Sequence, residues 1–163
     1  MFQPTAYTGT LEENYALLIR QLTSLLDGET DQIANLANAA ALLNQFLTDI
    51  NWVGFYLLHP DDVLVLGPFQ GLPACTRIPV GKGVCGTSAA RKQTIRVDDV
   101  SQFPGHIACD AASRSEIVVP MMKDGKVIGV LDIDSPKLAR FSDTDQRCLE
   151  QFVHALVLSL QTA

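Results

Sequence analysis

The sequence predicts an α+β fold, a mainly antiparallel sheet with helices gathered on one face. Three observations carry this. Apolar stripes of helical period lie at both ends of the chain. Between them run short aromatic and β-branched segments joined by turn signals, which read as hairpins rather than crossovers. The 163 residues fit one domain, residues 1–163, with no internal repeat, low-complexity tract or linker.

Leu11, Tyr15, Leu18, Leu22 and Leu25 stand at four-three-four-three spacing and predict a helix over 11–27. Gly28 suits its left-handed end. A second helix is expected from Thr30 as N-cap, with Asp31 in its first turn. Its apolar face reads Ile33, Leu36, Ala37, Ala40, Leu43 and Leu47. Residues 52–58 and 63–67 then read as two strands around the turn His59-Pro60-Asp61-Asp62. Residues 77–80 form a short extended piece, 84–91 a short helix and 94–97 another strand. A long polar connection, 98–113, contains Cys109; loops of that length in a compact domain are often functional. Residues 117–122 and 126–133 flank Asp124-Gly125, a strong hairpin signal. Both are apolar on both faces, so they belong in the interior of the sheet. The last helix starts at Ser142 with capping-box form and buries Leu149, Phe152, Val153, Leu156 and Leu160.

Composition narrows the function classes. Lys and Arg total 12 against 18 Asp and Glu, a net charge of −6, without a basic cluster. That balance argues against nucleic acid and against an anionic membrane surface. No apolar run approaches the ~20 residues of a membrane helix, and the first residues do not resemble a signal peptide. A cytoplasmic location is expected, where thiols stay reduced. The four cysteines are then inert buried thiols, metal ligands or redox catalysts.

Gly81-Lys82-Gly83-Val84-Cys85-Gly86 has the form G-x-G-x-x-G. Its context fails the dinucleotide reading, because the segment before it is short and contains Pro79 and its neighbours are hairpins. A tight turn opening a short helix fits better. The cysteines show neither C-x-x-C nor a Cys-His pair at finger spacing, so no metal site is expected. Cys148 lies beside a helical apolar stripe and reads as packing. Cys75, Cys85 and Cys109 fall on irregular segments, Cys85 at a helix start where the dipole lowers a thiol pKa. Three such thiols favour redox chemistry.

Glu116, Asp132 and Asp134 are the acids placed for burial, and Asp132 and Asp134 share one strand face. Glu116 joins them only in some registers. A two-residue Asp124-Gly125 loop turns it to the opposite face; a bulge at Gly125 sets it across from Asp132. Water-facing acids at strand ends are the alternative. Trp52, the only tryptophan, opens a strand and is either core or site. Phe55 and Tyr56 read as core and sheet surface. His106, three residues before Cys109, acts on it or is simply solvated; His59 and His154 look structural.

Thiols, a retained proton and an aromatic wall together suit reduction of a sulfoxide. A thiolate attacks the sulfur, a neutral acid protonates the departing oxygen, and a second thiol closes a disulfide. An ammonium group on the substrate would seek carboxylates.

Four segments carry a family resemblance: Asn51-Trp52-Val53-Gly54-Phe55-Tyr56, Gly81 to Gly86, Ser115-Glu116-Ile117-Val118-Val119-Pro120, and Gly129-Val130-Leu131-Asp132-Ile133-Asp134-Ser135. They resemble the free methionine-(R)-sulfoxide reductases of GAF-domain type, from about Tyr15 to Leu160, including the three-cysteine spacing. The resemblance implies a GAF-like sheet with N- and C-terminal helices on one face and loops forming the pocket on the other. It implies Cys109 as nucleophile, Cys75 as main resolving thiol and Cys85 as a second recycling thiol. Glu116, Asp132 and Asp134 would bind the ammonium group and supply the proton, and Trp52 would pack on the methyl group. It further implies no bound cofactor, thioredoxin (with NADPH and its reductase) as external reductant, a role in oxidative-stress repair, and a homodimer using the first helix's stripe. The rival is a non-catalytic GAF domain that senses a small ligand or redox state.

Overall fold

The computed structural model describes residues 2–160; residue 1 and residues 161–163 lie outside the described part. Helix α1 spans Leu11–Leu26 and α2 spans Gln32–Phe46. Strands β1 (Trp52–His59) and β2 (Val63–Gly71) form the first hairpin, and β3 (Arg77–Pro79) lines the outside of β2. Helix α3 (Gly83–Arg91), strand β4 (Ile95–Val97) and a 3₁₀ turn (Val100–Gln102) follow. Strands β5 (Ser115–Lys123) and β6 (Lys126–Ser135) make the second hairpin, and α4 (Asp143–Leu160) closes the fold. The six strands are antiparallel in the order β3-β2-β1-β6-β5-β4. No described helix is long and apolar enough to cross a membrane.

Alternation along each strand separates two cores. One face carries Val53, Phe55, Ile117, Val119, Met121, Leu131 and Ile133 against α1, α2 and α4. Each fully buried large apolar side chain there contributes about 1.5–3 kcal/mol. The other face carries Trp52, Tyr56, Leu64, Val118 and Val130, packed with Val84, Cys85 and Ala89 of α3. The expected gathering of helices on one face thus holds for three of the four; α3 covers the pocket side.

Details differ from the sequence expectations for identifiable reasons. Asp31, not Thr30, caps α2, its carboxylate accepting from the Ala34 N–H at 2.8 Å, because the helix starts at Gln32, one residue later than a Thr30 cap requires. The buried face of α2 is Leu36, Ala39, Ala40, Leu42 and Leu43, while Ile33 and Ala37 face outward. On α1, Tyr15, Leu18 and Leu22 have no exposed surface and pack within their own chain. That inner stripe is therefore not available as a dimer contact. Cys148 is buried in the helical core, as expected.

The β5–β6 register decides the site. Asp124 and Gly125 both have positive φ, 52° and 76°, and form the two-residue turn that pairs Lys123 with Lys126. That turn alone would send Glu116 to the helical face. One extra residue, Ile128, is absorbed in β6 between the Met122–Val127 and Met121–Gly129 pairs. Every later pair shifts by one, so Glu116 lies opposite Asp134 and Val118 opposite Asp132. The bulge is thus real, but it sits inside β6 rather than at Gly125, and Glu116 faces Asp134 rather than Asp132. Gly129 permits it: a Cβ there would stand 2.5 Å from the Tyr56 carbonyl oxygen of β1.

Candidate active site

With that register, Trp52 and Tyr56 of β1, Asp132 and Asp134 of β6 and Glu116 of β5 all point to the face away from the three long helices. They line one pocket, together with Pro73, Ala74, Cys85, His106, Cys109 and Asp110 from the covering segments. Every residue expected at the site except Cys75 lines it directly, and Cys75 is joined to Cys109 by a disulfide.

Backbone anchors hold the covering loops. The Trp52 Nε1–H donates to the Leu72 carbonyl at 3.1 Å, and the Tyr56 hydroxyl donates to the Cys75 carbonyl at 2.9 Å. These two bonds pin the 72–75 segment over the sheet. Asn51 Nδ2 donates to Asp110 Oδ2 at 2.9 Å and to Ser113 Oγ at 3.1 Å, which pins the 98–113 loop. The half-buried Cys75 and Cys109 are brought together, with Cα atoms 5.6 Å apart. The Trp52 ring, 3% exposed, stacks on Phe69 at 5.2 Å and on Tyr56 at 5.9 Å, forming an aromatic wall.

The floor is acidic, and among the described residues no Lys or Arg is paired with it. Glu116 and Asp132 are each 6% exposed. Burial, with the Asp134 charge second, raises Glu116 from its ordinary 4.5 to about 8. Burial and Glu116 push Asp132 well up, and burial and Asp132 do the same to Asp134. The floor therefore keeps protons at neutral pH. His106 Nε2 is 3.6 Å from Glu116 Oε2, and burial lowers its pKa.

Cys85 departs from the expectation of an activated thiol. It lies in the first turn of α3, but burial and then the Asp132, Glu116 and Asp134 charges push its thiol well above the usual range. The dipole at a helix start is worth less than removing a thiolate from water beside three acids.

Tyr56, Asn51, Asp110 and Ser113 take part in the site without having been singled out from the sequence. Strand parity could have identified Tyr56, four residues from Trp52 and on the same face. Asn51 opens a segment that carries the family resemblance, but nothing local marks its contacts with Asp110 and Ser113, which span 59 to 62 residues of chain.

Residues 21–160 match the GAF domain family. The chain is 59% identical to a free methionine-R-sulfoxide reductase of Escherichia coli over 92% of this chain and 90% of that protein. It is 45% identical to a Saccharomyces cerevisiae protein of the same name, covering 86% of this chain and 82% of the relative. The crystal structure of the Neisseria meningitidis free methionine-R-sulfoxide reductase in complex with its substrate superposes with a TM-score of 0.94 at 46% identity, covering 99% of this chain and 96% of that one. A pocket with paired thiols above protonated acids on a GAF fold defines a thiol oxidoreductase rather than a ligand sensor. The chain belongs to the GAF domain family and, within it, to the free methionine-R-sulfoxide reductases.

Proposed function

We propose that this chain reduces free methionine-R-sulfoxide to methionine in this pocket. The observation that carries the reading is the joining of Cys75 to Cys109 beside a floor of protonated carboxyl groups. The Cys109 thiolate attacks the substrate sulfur. That attack forms a sulfur–sulfur bond; a floor carboxyl protonates the oxygen, the sulfur–oxygen bond breaks and the oxygen leaves as water. Water then adds to Cys109 Sγ as the sulfur–sulfur bond breaks, so that methionine leaves and Cys109 remains as sulfenic acid. Glu116, at about 8, holds a proton at neutral pH and is our choice of donor. General acid help of this kind is worth ~10²–10⁴-fold. Asp132 and Asp134 then hold the ammonium group, and Trp52 walls the methyl group.

The Cys75 thiol condenses with the sulfenic acid, water leaves, and the disulfide forms. The pairing with Cys109 supports Cys75 as the main resolving thiol. Cys85, a buried thiol held protonated, fits a second recycling role. Reduced thioredoxin, kept reduced by its reductase and NADPH, exchanges with the disulfide and resets the enzyme. The reading calls for no bound cofactor. It includes a cytoplasmic location, where the thiols are reduced between turnovers. It includes a homodimer, through surface other than the inner stripe of α1.

The test is NADPH oxidation with thioredoxin, its reductase and each sulfoxide epimer. The R epimer is expected to be consumed and the S epimer to be inert. Cys109→Ser should lose at least ~10³-fold in kcat while folding normally. No NADPH consumption, equal use of both epimers, or full activity in Cys109→Ser overturns the proposal.

A further inference from the structure

The pocket floor contains a donor set of a different kind. Cys85 Sγ and carboxylate oxygens of Glu116 and Asp132 all lie within 4.8 Å of one another. His106 Nε2 stands 3.6 Å from Glu116 Oε2 and lines the same pocket. We propose that Cys85, Glu116, Asp132 and His106 form a binding site for one thiophilic divalent cation of the Zn²⁺ type, which competes with the substrate's ammonium group.

Geometry supports four ligands around one ion. Nitrogen and oxygen ligands at about 2.0–2.1 Å from a tetrahedral centre stand roughly 3.3 Å apart, and a thiolate at about 2.3 Å stands only slightly farther from them. The Glu116–His106 distance is already near that value, and the Cys85, Glu116 and Asp132 donors, all within 4.8 Å of one another, have to draw together around the ion as His106 swings in with its loop. An independent sign comes from Asp132. Its Oδ1 is buried and has no hydrogen-bond partner, although the side chain lines the pocket. A buried carboxylate oxygen without a donor is costly, and a cation would satisfy it.

The donor chemistry selects the class. One thiolate, one imidazole and two carboxylates suit Zn²⁺ or Co²⁺, whereas Mg²⁺ and Ca²⁺ prefer oxygen alone. On binding, the Cys85 thiol and the carboxyl groups release their protons to solvent, and no electrons move. The ligands come from α3, the 98–113 loop, β5 and β6. That dispersion is why spacing along the chain shows no metal signature.

Competition rests on the proposed reductase reading, and the experiment separates the two claims. In the disulfide form, Cys75 and Cys109 are tied, leaving Cys85 and Cys148 as free thiols. Titrating that form with Co²⁺ should give one tetrahedral site per chain with a thiolate-to-cobalt band in the near ultraviolet, displaced by Zn²⁺. Cys85→Ser should lose the band and weaken binding at least ~100-fold, and Glu116→Gln should weaken it ~10–100-fold. Cys148→Ala should keep both. Absence of uptake at about 1 mM cobalt, or a band that survives Cys85→Ser or vanishes with Cys148→Ala, overturns the site. Millimolar methionine-R-sulfoxide should raise the half-saturating cobalt concentration at least ~3-fold over the S epimer, an equal chelator of free metal. Equal effects of the two epimers overturn the competition and leave the cobalt band to judge the site. Failure of the reductase reading shows separately, in NADPH oxidation.

Discussion

Two buried aspartates, one on each side of the sheet, are solved in opposite ways. Asp145, at the start of α4, is 3% exposed. It accepts from the Tyr15 hydroxyl at 2.6 Å, the Ser142 N–H at 2.9 Å and Arg140 Nη1 at 3.3 Å. Asp132, on the pocket face, is 6% exposed, has an oxygen without a partner, and faces Glu116 and a thiol. Nearly equal burial thus accompanies a fully hydrogen-bonded carboxyl group in one place and, in the other, a carboxyl group whose pKa burial and Glu116 push well up. The first arrangement ties α1, α4 and the 135–142 segment together. The second crowds acids and a thiol together, and burial with the Glu116 charge pushes the Asp132 pKa well up, which is the condition for acid chemistry.

Removing each acid should affect a different property. Asp145→Ala strands the Tyr15 hydroxyl and Arg140 and should cost about 3 kcal/mol of stability. Its urea midpoint should fall while kcat/KM of the folded protein stays near wild type; an unchanged midpoint breaks the comparison. Asp132→Asn removes a strained acid, so the midpoint should hold or rise. Activity should drop ~10²-fold, because the ammonium contact and the coupled proton are disturbed. Full activity in Asp132→Asn would place the chemistry elsewhere.

A smaller effect appears in pH dependence. Glu116 is raised from 4.5 to about 8 in the folded chain, with burial the main cause. Through that window the folded state keeps a proton that the unfolded chain has released. The contribution is therefore fully present below about 4.5 and is lost as pH rises toward 8. One proton gives a slope of at most ~1.4 kcal/mol per pH unit. Urea midpoints between pH 5 and pH 8, in buffer containing a chelator, should fall with pH and flatten in Glu116→Gln. A flat profile in the wild type contradicts a protonated floor.

The helical side was the more legible one in the sequence. Its signals are local: four-three spacing in α1, the Ser142 cap of α4, and the Asp-Gly turn between β5 and β6. The pocket side was legible in residue choice and only partly in geometry. Cys85, Cys109, Glu116, Asp132, Asp134 and Trp52 do line one pocket. What local pattern could not place was the bulge, since one extra residue in β6 reverses which face Glu116 occupies. Gly129 inside a strand was the available signal, and its cause is a neighbouring strand's carbonyl rather than anything adjacent in sequence. The expected lowered thiol at Cys85 failed for a related reason. A helix start is visible locally, but three acids and burial arrive from β5 and β6.

The most direct measurement is a single turnover without external reductant. Fully reduced protein is mixed with excess methionine-R-sulfoxide, methionine is quantified, and the cysteine pairing is mapped by peptide mass spectrometry. The expected result is about one methionine per chain, from the sulfenic acid closing to a disulfide, with Cys75 joined to Cys109 and Cys148 still free. No methionine, or methionine formed while Cys75 and Cys109 both remain reduced, would contradict the central claim.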